Sequence, residues 1–344
     1  MKYTFQLISL VFLVVTNSVA MATTMCATSD VHLSTMQLVS GGSVLNLPTA
    51  PPPLYDADGR TSTSCVGLLS GNDKPLPGTN IGEYQDGLLN GETKPHGGAT
   101  DPSLHPNNTL FDPFYDESGP LAQDGSEGYN NILFINPETD LQDLDDTDGN
   151  TNKTDPGWVF LGKQEGGDFV GSIAGKDLED DEGEDISINI DDVLSVVFSC
   201  SYTDDFDVVF QVSITSGECE DGQWAISPVA NIVEILEPVF GNGFFDHLAF
   251  IFKAGNDFAI YDFNFKMINS ELGNTLDLTV PYNLTGTFNM TGTFGNTAIS
   301  HISLWARDPA GFTTTEMPEP KSTMLMLLAV ALLVLRVKSK HSLL

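Results

Sequence analysis

Positive charge is scarce in this chain: 14 Lys and Arg stand against 47 Asp and Glu, a net charge of −33. So acidic a surface repels nucleic acid and anionic lipid headgroups, which argues against both as partners of the folded body. Cysteine is sparse as well, with four residues at Cys26, Cys65, Cys200 and Cys219. No two of them stand in a Cys-x-x-Cys spacing, so a redox motif and a cysteine zinc site are set aside. Catalytic signatures are missing too. There is no Gly-x-Ser-x-Gly, no His-Glu-x-x-His and no glycine-rich phosphate loop. Between the two ends of the chain no stretch carries a convincing amphipathic helical period, which leaves β-structure as the expected content.

What is present is a series of short apolar runs between turn residues. Asn131–Ile135, Trp158–Leu161 and Phe169–Ile173 are bounded by Gly and Asp, Ile186–Ile190 alternates at period two, and Val193–Ser199 reads as a buried strand. The alternation is clearest in Phe206–Thr215, where Phe206, Val208, Phe210, Val212 and Ile214 share one face. Further strands are expected at Asn231–Leu236, Leu276–Tyr282, Thr285–Phe294 and Ile299–Ala306. His247–Lys253 and Asp257–Phe263, joined by Ala254-Gly255-Asn256, read as a β-hairpin. Repeated short strands of this kind predict an all-β fold, a β-sandwich of jelly-roll type. The preceding region, 23–126, holds eleven of the nineteen prolines and is expected to be loop-dominated. Its pieces Met36–Val39, Val44–Leu47 and Cys65–Leu69 are candidates for added strands.

The ends of the chain carry targeting signals. Lys2, the apolar stretch Leu7–Val15 and the small residues Ser18, Ala20 and Ala22 form a secretory signal over 1–22. At the other end Pro318-Glu319-Pro320 is followed by the apolar run Met324–Leu335 and then by Arg336, Lys338 and Lys340. Twelve residues rise about 18 Å as a helix, against a hydrocarbon core of about 30 Å, so the run suits brief rather than permanent residence in a membrane. The basic terminus would stay cytoplasmic and leave the body outside. This triplet, short apolar helix and basic end resemble the PEP-CTERM sorting tail of bacterial envelope proteins. Phe245–Tyr261 and Ile299–Trp305 also look like segments that precede such tails. The resemblance implies export, processing by an exosortase-type membrane enzyme at a site marked by Pro318, Glu319 and Pro320 with Arg336 and Lys338, and a secreted β-sandwich of unassigned activity. Lys321 departs from the pattern, where a small or hydroxylated residue usually follows the triplet. The expected layout is a signal peptide over 1–22, the loop-rich region over 23–126, the sandwich over 127–315 and the tail over 316–344.

In an exported protein an even cysteine count favours disulfides. Three pairings are possible, and Cys26–Cys65 with Cys200–Cys219 is preferred because the second closes a local loop worth about 3 kcal/mol of chain entropy. The best candidate for chemistry is the acidic loop 140–155. Its alternating oxygen ligands around Gly149 suit Ca2+, with Asp143, Asp146, Asp148, Asn150 and Asp155 as candidate ligands, although Leu144 and a short Asp in place of Glu rule out an EF-hand. A solvated acidic loop is the plainer alternative. His247 and His301 lie within apolar strands and read as structural, and burial is the better reading for at least two of Trp158, Trp224 and Trp305. Together these features predict a cell-surface or extracellular-matrix protein, structural or adhesive in an exopolysaccharide or biofilm matrix. A secreted glycan-active hydrolase and a calcium-dependent carbohydrate-binding module are the alternatives.

Overall fold

The computed structural model describes residues 26–47, 55–56, 59–70, 80–84, 86–90, 134–136, 139–144, 153–165, 168–179, 185–203, 209–213, 220–240 and 245–308. Their strands are β1 (Val31–Leu38), β2 (Leu45–Asn46), β3 (Tyr55–Asp56), β4 (Gly59–Thr61), β5 (Ser64–Ser70), β6 (Trp158–Glu165), β7 (Asp168–Val170), β8 (Ser172–Glu179), β9 (Asp185–Asn189), β10 (Leu194–Thr203), β11 (Val209–Ser213), β12 (Asp221–Pro228), β13 (His247–Ala254), β14 (Asp257–Asn264), β15 (Tyr282–Asn289) and β16 (Ile299–Arg307). One sheet runs β11-β10-β12-β15-β1-β4-β3, with β2 paired to β1, and a second runs β5-β14-β13-β16-β6-β7. β8 and β9 form a separate ribbon. The all-β sandwich expected from the sequence is the observed fold. The region preceding residue 127 is woven into it: β1 pairs with both β15 and β4, and β5 pairs with β14.

The two sheets meet through alternate side chains. Phe198 of β10, Trp224 and Ile226 of β12, and Phe288 of β15 face Phe250 and Phe252 of β13 and Tyr261 and Phe263 of β14. The ring of Trp224 lies 4.8 Å from that of Phe250, and the ring of Phe252 lies 5.2 Å from that of Phe288. Burying each such ring contributes about 1.5–3 kcal/mol. Gly286, opposite Trp224 in the β12–β15 ladder, has no room for a side chain: a Cβ there would lie 1.9 Å from the His32 carbonyl oxygen and 2.3 Å from the indole.

All eight residues of β13 are buried. On the face turned away from the large sheet, Ala249, Ile251, Phe258, Ile260 and Trp305 are covered by Leu88, Leu89, Ile135 and Leu141. This covering layer is fastened by two asparagines that substitute for a strand along the free edge of β6. The Asn80 amide accepts from Phe160 N–H at 2.8 Å and donates to the Phe160 carbonyl at 2.9 Å. The Asn90 amide does the same at Trp158, at 2.9 and 2.6 Å.

Several local expectations need correction. Asn231–Leu236 is not a strand: Ile232–Phe240 is an α-helix, in which Ile232, Leu236 and Phe240 recur at helical spacing and pack on the core. A second helix, Phe265–Glu271, is capped by Asn264, whose side chain accepts from Met267 N–H. The expected absence of helix from the body is therefore also wrong. Leu276–Pro281 is turn and coil, and the strand expected to run to Phe294 stops at Asn289, before a single helical turn at Thr291–Phe294. Phe134 and Ile135 lie in a bend, with Ile135 in the covering layer. Of the alternating Phe206–Thr215, residues 209–213 are described and form the edge strand β11. All three tryptophans are buried.

The Cys26–Cys65 disulfide is present, joining cysteines 39 positions apart in sequence. It ties the segment leading into β1 of one sheet to β5 of the other. Cys200 is also disulfide-bonded, and Cys219 lies outside the described residues.

Two stability predictions follow from these contacts. Replacing Cys26 and Cys65 with serine should lower the unfolding free energy by about 3–4 kcal/mol, the chain-entropy value for a loop of this length, as read by denaturant titration. Gly286→Ala should cost at least about 2 kcal/mol, because the clash involves a backbone oxygen and a packed indole. A change within 0.5 kcal/mol, on the scale of an ordinary surface substitution (about ±0.5 kcal/mol), would contradict the close packing at that position.

Candidate functional site

The small sheet is covered on both faces, and among the described residues β10, β12 and β15 of the large sheet turn an outer face to solvent. Alternation along β12 and β15 turns Trp224, Ile226, Leu284 and Phe288 inward and turns Gln223, Thr285, Thr287 and Asn289 outward. Register then aligns the outward residues into rows across the strands. Thr287 stands beside Gln223 and Gln223 beside Ser199 of β10, and on the other side of Thr287 is the buried His32 of β1. In the next row Thr35, Thr285, Ala225 and Val197 lie side by side, and the Thr35 and Thr285 hydroxyls are 2.6 Å apart. Val197 is 49% exposed.

One end of this face deepens into a polar groove of about 420 Å³. Ser29 and Asp30 line it from the turn before β1, Asp221 and Gln223 from β12, Thr287 and Asn289 from β15, and Gly292 from the turn that follows. Partial burial raises the Asp221 carboxyl above its ordinary value. The groove therefore offers hydroxyl, amide, imidazole and carboxyl groups at a half-dry surface, which suits a ligand carrying many hydroxyls. Asp30 also lines the groove but is committed to the interior. Its Oδ2 accepts from the Tyr261 hydroxyl at 2.7 Å, the Thr293 hydroxyl at 2.7 Å and Ala27 N–H at 2.9 Å. Burial and the Asp30 charge raise the Tyr261 phenol well above its usual value. Among the described residues of the groove, this use of Asp30 leaves Asp221 as the carboxylate open to a ligand.

The acidic loop is only partly described. Asp155 is buried, and both of its oxygens serve the chain: Oδ1 accepts from Tyr84 N–H at 2.8 Å and Oδ2 from Leu144 N–H at 2.7 Å. Burial raises its carboxyl above the ordinary value despite those bonds. Its backbone bridges to Gln142, so Asp155 closes the base of the loop. Asp143 is described, whereas Asp146, Asp148 and Asn150 lie outside the described residues. Among the described residues no group of three metal-ligating side chains comes together. The sorting-tail residues Pro318, Glu319, Pro320, Arg336 and Lys338 also lie outside them, and no described helix is long and apolar enough to cross a membrane.

A third concentration of polar groups joins the small sheet to its covering layer. His247 Nδ1 lies 3.0 Å from Asp262 Oδ1, and its ring packs edge-on against Trp158. Arg307 is 1% exposed and pairs with Asp246 at 2.9 Å, donating also to the Pro156 and Asp140 carbonyl oxygens. Lys266 closes on the same Asp246 at 2.6 Å. Next to this network Asp308 is buried, with Oδ1 lacking a hydrogen-bond partner among the described residues. Burial pushes its carboxyl up to about 8, with Arg307 opposing and Asp246 adding to the shift. Sequence reading anticipated the structural role of His247. It missed the Arg307 network, since nothing in the spacing of Asp246, Arg307 and Asp308 announces that β13 and β16 are neighbours.

No protein-family model matches this chain, and the searches of curated proteins and of solved structures likewise found nothing similar to it.

Asp308 generates a pH prediction. The folded chain keeps this carboxyl protonated up to about pH 8, whereas an unperturbed aspartate ionises near 3.8. Between those values the folded state holds a proton that the unfolded state has released, so this group lowers stability as pH rises through the window. Asp308→Asn should therefore stabilise the protein, with a gain in melting temperature that is small at pH 4.5 and grows toward pH 8. A gain that stays constant with pH would contradict this origin.

Proposed function

We propose that this chain is an exported, non-catalytic component of a bacterial exopolysaccharide or biofilm matrix, with a structural or adhesive role, and that it binds the matrix through the outer face of the large sheet. The observation that carries the reading is that open face, whose rows of hydroxyl and amide side chains run into a polar groove. The sheet-to-sheet disulfide supports an oxidising, extracellular destination. The signal over 1–22 and the tail after Met317 support export followed by sorting, in which an exosortase-type enzyme recognises Pro318-Glu319-Pro320 while Arg336 and Lys338 hold the tail's end on the cytoplasmic side. The acidic surface adds solubility and repels anionic lipid, so contact with a membrane is confined to the tail before processing.

Calcium enters as a variable of the test. Asp143 and the acid-rich residues after it offer oxygen ligands, but Asp155 is occupied by backbone amides, so binding to the matrix is expected without added calcium.

The exported chain should be found in the surface or extracellular fraction of the producing cells, without its basic terminus. It should bind their exopolysaccharide equally with calcium and with excess chelator. Replacing Pro318, Glu319 and Pro320 with alanine should leave the chain uncut in the membrane fraction. A wild-type chain that is uncut in the inner membrane or cytoplasm, or that does not bind the matrix, would overturn the proposal. Binding abolished by chelator would move the site to the acidic loop.

A further inference from the structure

The chemistry of the open face also selects among polysaccharides. Its central row carries Thr287, Gln223 and Ser199, with His32 at one end, and a row on lies the exposed apolar side chain of Val197. Of the two carboxyl groups that line the groove among the described residues, Asp30 is engaged by the interior and Asp221 sits where partial burial disfavours its charge. No Lys or Arg is among the groove's residues. The rest of the chain is strongly acidic, at a net −33.

An anionic polysaccharide approaching this face would meet long-range repulsion, with no cation among the groove's described residues to receive it. A neutral one would meet hydroxyls and amides that both donate and accept, which is what sugar hydroxyls require. Spacing adds a direction. Adjacent strands lie about 4.8 Å apart, near the rise of one pyranose unit along an extended glycan. Thr287, Gln223 and Ser199 therefore present one polar contact per strand across β15, β12 and β10, and the buried His32 closes the row at β1.

We propose that the ligand of this face is an uncharged, extended polysaccharide lying across β15, β12 and β10, with about one sugar unit over each strand. The inference rests on the reading of this face as the matrix-binding surface and adds the charge and direction of the ligand.

A matched pair of probes tests it, because hydroxyethylcellulose and carboxymethylcellulose share one backbone and differ in charge. Full-length exported chain, in chelator at moderate salt, should bind hydroxyethylcellulose at least tenfold more tightly than carboxymethylcellulose. Gln223→Ala with Thr287→Val, both changes on the solvent side of the sheet, should weaken that binding at least tenfold. Met267→Ala, on a different exposed surface, should leave it unchanged. Equal or tighter binding of carboxymethylcellulose, or undiminished binding by the double variant, would overturn the proposal. If the chain binds the cells' own matrix but not hydroxyethylcellulose, this inference falls and the matrix role stands. If it binds neither, both fall.

Discussion

The strand β13 is buried along its whole length and on both faces, and most of the architecture is a consequence of that. A strand with Phe250 and Phe252 on one side and Ala249 and Ile251 on the other needs an apolar layer above and below. The large sheet supplies one layer. The other is built from short pieces of loop-rich chain carrying Leu88, Leu89, Ile135 and Leu141. Loops make a poor cover, because their backbone and that of the strand edge beneath them must both find hydrogen-bond partners. The side-chain amides of Asn80 and Asn90 solve this at β6, pairing with Phe160 and Trp158 as a neighbouring strand would. The buried Arg307, by donating to the Pro156 and Asp140 carbonyls, ties the same layer to β16. With the small sheet covered in this way, the outer face at β10, β12 and β15 is the exposed sheet face among the described residues, so the position of the candidate site follows from how the core is completed.

The sequence was most informative where one physical signal dominated. The β13–β14 hairpin was legible because two continuous apolar runs flank a short Gly-Asn turn. The even cysteine count and the expectation of export pointed to disulfides with three pairings open, and Cys26–Cys65 was preferred because it leaves Cys200 and Cys219 to close a local loop. Burial of the tryptophans and the structural role of His247 followed from their apolar surroundings. The helix Ile232–Phe240 was misread because its Ile and Val residues carry strand propensity and Pro238 argues against helix. Tertiary packing of its apolar side on the core overrides that local preference. The boundary at Asn289 was missed because Thr and Gly continue on both sides of it, and only the side chain of Asn289, which accepts from Thr291 N–H, marks the turn.

The candidate site was less legible than the fold. Charge is concentrated in the acidic loop, yet the carboxylate of Asp155 accepts from Tyr84 and Leu144 N–H and pins the base of that loop. The polar face is assembled from β1, β10, β12 and β15, which are distant in sequence and individually unremarkable. Thr287 and Gln223 become neighbours only through register, and no motif encodes register across so long a separation. The strand β12 (Asp221–Pro228) was not among the expected strands, although its alternate residues Gly222, Trp224 and Ile226 are the buried ones.

Three exposed apolar side chains allow that surface to be examined directly. Val197 lies on the open face, while Val170 and Met267 lie elsewhere, and all three are between 49% and 62% exposed. Hydroxyl-radical footprinting with and without the cells' exopolysaccharide reads all three in one experiment. If the outer face of the large sheet is the binding surface, labelling of Val197 should fall while that of Val170 and Met267 is unchanged. Protection of Val170 or Met267 with Val197 unaffected would place the interaction on another part of the molecule and contradict the account.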